Sequence, residues 1–287
     1  MKWRKRTEGL FLVPSILFLM IFGLGMLMAF MESLMDDGTA TMGYYMELFR
    51  KERFMRSVLY SVWITAVSTV LSLAIGLLFV RVFKEKLKGG TGRLLVWIPM
   101  LFPHFVWAYL VFLLLNQSGF LSNLLGVSGL MAERTDFPVL VQDSGGIGII
   151  VTYVWKEVPF VILMLLPVYA SLSKGYREAA TLLGATPVRM FTTAEWPFIK
   201  PAIFETGAVL FAFIFTAFEV PQLLGVTSPQ MIAVLTYEWF YSGAWTDRPF
   251  AFAALLLAGG AVGMSMWLLT HSMNKERLRI ASGGRGG

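Results

Sequence analysis

The chain has 287 residues, 56% hydrophobic and only 15% charged, with 24 Phe, 9 Trp and 17 Met. Soluble domains carry about a quarter charged residues, so this balance excludes an ordinary soluble module and points to lipid as the main solvent. The net charge of +6 comes without a basic, aromatic-interleaved soluble face, which excludes nucleic acid as a partner, and a chain without cysteine has no disulfide or thiolate metal centre.

Six apolar runs approach the ~20 residues a spanning helix needs. They cover 10–31, 58–83, 94–115, 147–171, 202–224 and 250–271. The expected fold is therefore an all-α membrane protein with six transmembrane helices in a single domain, 1–287. The first run follows Lys2, Arg4, Lys5 and Arg6. It is too long for a signal-peptide core and no small-residue cleavage site follows, so it reads as an uncleaved span. Six spans put both termini on one side. With the N-terminus in the cytoplasm, 17 of the 24 Lys and Arg fall on inner segments, as the positive-inside bias requires. The exception is Arg50, Lys51, Arg53 and Arg56 in the first outer loop. Tyr45, Leu48, Phe49, Phe54 and Met55 recur there at rough helical spacing, which predicts an amphipathic helix on the outer interface. The outer segment 116–146 is rich in turn formers and predicts a loop. His104 and His271 stand far apart at the edges of apolar runs and make no metal site. The tail 282–287 predicts disorder.

The inner segment between the fourth and fifth runs, about 172–200, is patterned. Tyr176 to Leu183 is a good helix former with a small apolar face at Ala179, Ala180 and Leu183. Gly184 suits the left-handed position that ends a helix. Thr186 offers an N-cap hydroxyl and Pro187 suits the first helical position. Val188, Phe191 and Ala194 then fall on one side of a second short helix, which Pro197 and Pro201 are expected to break before the fifth span. Two short helices with an apolar patch at the inner face call for a cytoplasmic partner.

This segment resembles the EAA loop of permease subunits of binding-protein-dependent ABC importers, the family with the MetI-like fold. Glu178, Ala179, Ala180, Gly184 and Pro197 match the pattern, and Phe191 stands at an aromatic position. Ala194 and Trp196 depart from the usual aliphatic residue and Leu, but remain apolar. The resemblance implies that the loop docks on a separate ABC ATPase subunit. Glu178 would be a polar anchor, Ala179 and Ala180 would permit close approach, and Gly184 would make the turn. It also implies an extracytoplasmic solute-binding protein and a second permease chain, in a hetero- or homodimer. The location is then the bacterial cytoplasmic (inner) membrane, with several passes. The chain has no G-x-x-x-x-G-K-[ST] phosphate loop, no H-E-x-x-H, no nucleophile elbow and no clustered His or carboxylates, so it is expected to be no enzyme, with no catalytic residues and no cofactor of its own. ATP and Mg would sit on the partner ATPase.

Ionisable residues within spans are costly and are candidates for function. The fourth run holds Tyr153, Trp155, Lys156, Glu157 and Pro159; the fifth ends on Glu219 and Pro221. One reading is a translocation path for a small solute, with helices broken at Pro159 and Pro221 to free carbonyls. The other is local: Lys156 snorkels or pairs, and Glu219 marks the membrane edge. Adjacent in sequence, Lys156 and Glu157 cannot pair face to face. The segment 218–225 resembles the spermidine/putrescine-like branch, which implies a polyamine-like cargo. The alternative to an importer is an ion-gradient-driven secondary transporter, which shares many spans and buried charges.

Overall fold

The computed structural model is almost wholly helical and describes residues 2–36, 38–87, 89–172 and 181–283. Among these residues, six stretches are long and apolar enough to cross a membrane: Leu12–Leu34, Glu52–Leu87, His104–Val127, Ile147–Ser171, Pro187–Thr216 and Trp245–His271. The chain divides into two compact units. One is formed by the chain up to Met55 together with Leu235–Gly260, the other by Arg56–Val234 and the chain from Ala261.

In the first unit, α1 (Lys2–Leu34) runs into a small hairpin of β1 (Met35–Asp36) and β2 (Thr39–Ala40). The short α2 (Gly43–Leu48) is tied back by Tyr44, whose hydroxyl donates to Asp36 at 2.9 Å, and by a 2.8 Å contact between the Tyr45 and Ser33 hydroxyls. The amphipathic helix expected around residues 45–56 is not continuous, because α2 stops at Leu48 and α3 (Glu52–Leu87) starts after a turn. Two of its basic residues have partners within the protein. Lys51 meets Glu47 at 3.3 Å and lies 4.1 Å above the Phe250 ring, while Arg53 meets Glu238 at 2.7 Å. Glu238 belongs to α11 (Ile232–Tyr241), a ten-residue helix in the segment between the fifth and sixth runs.

The second unit holds the core. The expected third span is two helices, α4 (Gly90–Leu101) and α5 (His104–Leu115), broken at Phe102–Pro103. Pro103 has no N–H to give to the Pro99 carbonyl four residues back, so the helical ladder fails there. The loop expected over 116–146 contains α6 (Phe120–Val127) and a turn of 3₁₀ helix at Arg134–Asp136. α7 (Ile147–Ser171) has the bounds read from sequence. It is also the most buried span, with 56% of its apolar window inside the protein against 33% or less elsewhere. Pro159 and Pro167 both lie within it. The break expected at Pro159 does not occur: α7 continues through it, with α4, α5 and the fifth span packed around this helix.

The start of α7 is fixed by Gly146, at φ 72°. A Cβ there would come within 2.1 Å of Ile64 Cδ1 and 2.7 Å of the Tyr60 hydroxyl. Left-handed backbone costs a non-glycine residue about 1–2 kcal/mol, and overpacking costs about 1–3 kcal/mol. Gly146→Ala is therefore expected to lose roughly 3 kcal/mol of stability, read as a lower thermal midpoint in detergent.

The segment after Gly184 forms α8 (Pro187–Met190), a π-helical turn at Phe191–Glu195 and α9 (Trp196–Thr216) without interruption. Pro197 and Pro201 were expected to end the helix here and do not. A wide turn, in which the Trp196 N–H reaches the Phe191 carbonyl, makes room just ahead of the Pro197 ring. The break falls later, at Ala217, followed by α10 (Glu219–Leu224). Pro221 lacks the donor for the Ala217 carbonyl, so this break sits where a proline in the fifth run predicts one. α12 (Arg248–Gly283) completes the chain. It is helical through Gly283, into the tail expected to be disordered; 284–287 lie outside the described residues.

Candidate functional site

Two places on the second unit collect the singled-out residues. The first is the break between α4 and α5. Failure of the ladder leaves the Pro99 and Phe102 carbonyls facing inward, and buried Lys156 from α7 donates to both, at 2.8 Å to Pro99. Trp107 Nε1 also donates to the Pro99 carbonyl at 2.8 Å. Lys156 thus neither snorkels nor pairs with a carboxylate: it closes a broken helix, as membrane-depth backbone requires.

One residue on, Glu157 points elsewhere, as the helical step demands. Its Oε1 lies 2.9 Å from His104 Nε2, and Glu157 is 6% exposed. His104 opens α5 at the edge of the apolar stretch His104–Val127, just after the break that divides the expected third span. Its ring packs 4.9 Å from Phe213 of α9. These groups line a cavity of about 270 Å³ with Lys156, Met100, Phe160, Val209 and Leu210. A carboxylate and an imidazole among aromatic and aliphatic walls can hydrogen-bond hydroxyls and pack against an apolar ring face.

The other candidates for the path stand outside this cavity. Tyr153 is fully buried in a cluster with Tyr60, Ile64 and Ile149. Trp155 is half exposed, packs 5.6 Å from Trp107, and lines a separate apolar cavity of about 590 Å³ with Phe79 and Phe83. Glu219 is exposed in the first turn of α10, while Pro221 is buried. Val220, Pro221 and Leu224 pack inward, so packing dictates much of the 218–225 pattern.

The second place is the loop expected to dock on an ATPase. Glu178, Ala179 and Ala180 lie outside the described residues. Gly184 has the left-handed backbone expected, φ 71°, and its N–H bonds the Thr181 carbonyl at 2.9 Å. Thr186 caps α8 by accepting from the Arg189 N–H, with Pro187 in the first turn. Leu183 and Val188, two members of the expected apolar patch, are 87% and 72% exposed, and Leu182, which the sequence reading did not include, is 88% exposed. Phe191, expected on the same side as Val188, turns inward instead, with its ring 5.9 Å from Trp196; Pro197 is exposed.

Sequence reasoning missed His104 as the partner of Glu157, and missed Arg81 and Glu195, which form a 3.1 Å ion pair beside the loop. The four-residue spacing of Pro99 and Pro103 in an apolar run was the available signal for the break.

The family described as binding-protein-dependent transport system inner membrane component matches residues 72–274. The trehalose/maltose transport system permease protein MalF of Thermococcus litoralis is 31% identical over 164 residues, 55% of this chain and 54% of its own. The inner membrane ABC transporter permease protein YcjO of Escherichia coli is 26% identical over 204 residues, 68% of this chain and 67% of its own. The trehalose transport system permease protein SugA of Mycobacterium tuberculosis is 29% identical over 215 residues, covering 72% and 67%. The chain thus spans about half the length of the Thermococcus relative. In the crystal structure of a bacterial ABC transporter involved in the import of the acidic polysaccharide alginate, one chain matches with a TM-score of 0.75 at 21% identity, covering 95% of this chain and 96% of that one. That likeness shows the fold, the MetI-like one expected. The relatives named for a cargo are named for sugars, so the polyamine expectation from 218–225 finds no support here.

Proposed function

The chain belongs to the binding-protein-dependent transport system inner membrane components, multi-pass proteins of the bacterial inner membrane, and on that premise we propose that it is the permease subunit of an ATP-driven importer for a di- or oligosaccharide. The observation that carries this reading is the cavity of about 270 Å³ holding Glu157 and His104 near the middle of α7. Small-molecule sites occupy about 300–1,000 Å³. This cavity takes one sugar ring, and the rest of the cargo needs the surface of a second permease chain. Relatives named for trehalose and maltose support the cargo class.

In this reading the basic segments face the cytoplasm and the loop with Leu182, Leu183 and Val188 docks on an ABC ATPase. A binding protein delivers the sugar at the opposite face. The family argues against a secondary transporter, whose gradient coupling has no use for a protruding apolar loop. The test is gentle solubilisation from native membranes followed by identification of co-purifying chains. The wild type is expected to bring down an ABC ATPase. Gly184→Trp is expected to lose it, because φ 71° strains any side chain and the open space around Gly184 would let the indole project over the docking patch. A well-folded wild type that carries no ATPase overturns the reading.

A further inference from the structure

Pro187, Phe191 and Glu195 are spaced four apart, so they share one face of the docking segment. A single side chain from α3 meets all three. Arg81 Nε donates to Glu195 Oε2 at 3.1 Å, and its Nη2 donates to the Pro187 carbonyl at 2.8 Å. Its guanidinium lies 4.8 Å from the Phe191 ring centroid. Glu195 is 3% exposed, and the Tyr169 hydroxyl at the end of α7 faces the same carboxylate oxygen at 3.5 Å. Only the planar arginine fork serves a carboxylate, a carbonyl and a ring face together. Two of the three contacts, Phe191 and Glu195, fall on the π-helical turn, a departure from regular helix that often marks functional sites.

We propose that Arg81 is a positioning residue that latches the docking segment onto α3. A displacement of the loop then travels two ways: along the continuous helix into α9, and through the Arg81 latch into α3. This rests on the importer reading for its purpose, but the latch itself is a property of this chain alone. Removing it leaves the loop able to bind an ATPase while part of the displacement is lost before it reaches the spans.

The test uses the absence of native cysteine. Spin labels at Val82→Cys and Thr192→Cys, both exposed positions, report the separation of α3 and the docking segment in the purified full chain. Arg81→Ala leaves Glu195 buried without this partner and risks misfolding. Arg81→Met with Glu195→Gln is therefore the main variant, because it removes the charges and keeps the bulk. The wild type is expected to give one narrow distance distribution, and the double variant a broad one. In vesicles containing the whole transporter, the double variant is expected to retain ATP hydrolysis while sugar moved per ATP falls at least fivefold. A purely structural role would lower both together or neither. A distribution as narrow as wild type, or an unchanged ratio of sugar to ATP, overturns the latch. If no ATPase co-purifies with wild type, the importer reading fails by itself, and the distance distributions still decide the latch.

Discussion

Lys156→Met is expected to destabilise the protein by about 3 kcal/mol, because a hydrogen bond from a charged donor contributes roughly 1.5–3 kcal/mol and an orphaned buried carbonyl costs about 1–3 kcal/mol. Methionine keeps the length and apolar stem of the side chain but donates nothing. The Phe102 carbonyl then loses the ammonium that now bonds it, at the point where the ladder of α4 has already failed. The Pro99 carbonyl keeps Trp107 Nε1, which limits the loss. For a domain of this size the thermal midpoint should fall by about 6–12 °C. Heating in detergent, followed through intrinsic tryptophan fluorescence, measures it directly. A midpoint unchanged from wild type would mean that water or lipid satisfies these carbonyls and that Lys156 is free for another task.

The second large effect concerns Glu157. Glu157→Ala removes the carboxylate from the cavity and leaves His104 without it. A hydrogen bond from a sugar hydroxyl to a charged group is worth about 1.5–3 kcal/mol, or roughly 10- to 150-fold in affinity. Uptake at low sugar concentration should fall by about that factor, while ATPase docking is unaffected because the loop is untouched. Glu157→Gln keeps an acceptor and a contact with His104 and should lose much less. Equal losses for Ala and Gln would show that charge, not hydrogen bonding, is what the cavity uses.

How much of this was legible depends on distance along the chain. The fourth span was readable to the residue, because Gly145 and Gly146 punctuate its start and a long apolar run follows. Within the loop, the turn at 184–187 was readable for the same reason: Gly184, Thr186 and Pro187 follow local rules of helix ends, and each took its expected backbone, whereas the inward turn of Phe191 was not. Prolines were read less well, since sequence gives the missing donor but not the neighbours. Pro103 and Pro221 end helices, whereas Pro159 and Pro201 ride inside helices. Pairings between elements were not legible. Arg81 and Glu195 lie 114 residues apart, and His104 and Glu157 lie 53 apart; only the register of packed helices brings them together. The ten residues of α11 were too few to stand out from a loop.

The central claim is that this chain forms a sugar path powered by ATP on a partner. The most direct measurement is uptake of labelled trehalose or maltose into vesicles containing the chain with its co-purified ATPase, second permease and binding protein. The account predicts accumulation that requires ATP, persists when ion gradients are collapsed, and falls about tenfold or more with Glu157→Ala. Accumulation that needs an ion gradient and ignores ATP would contradict it.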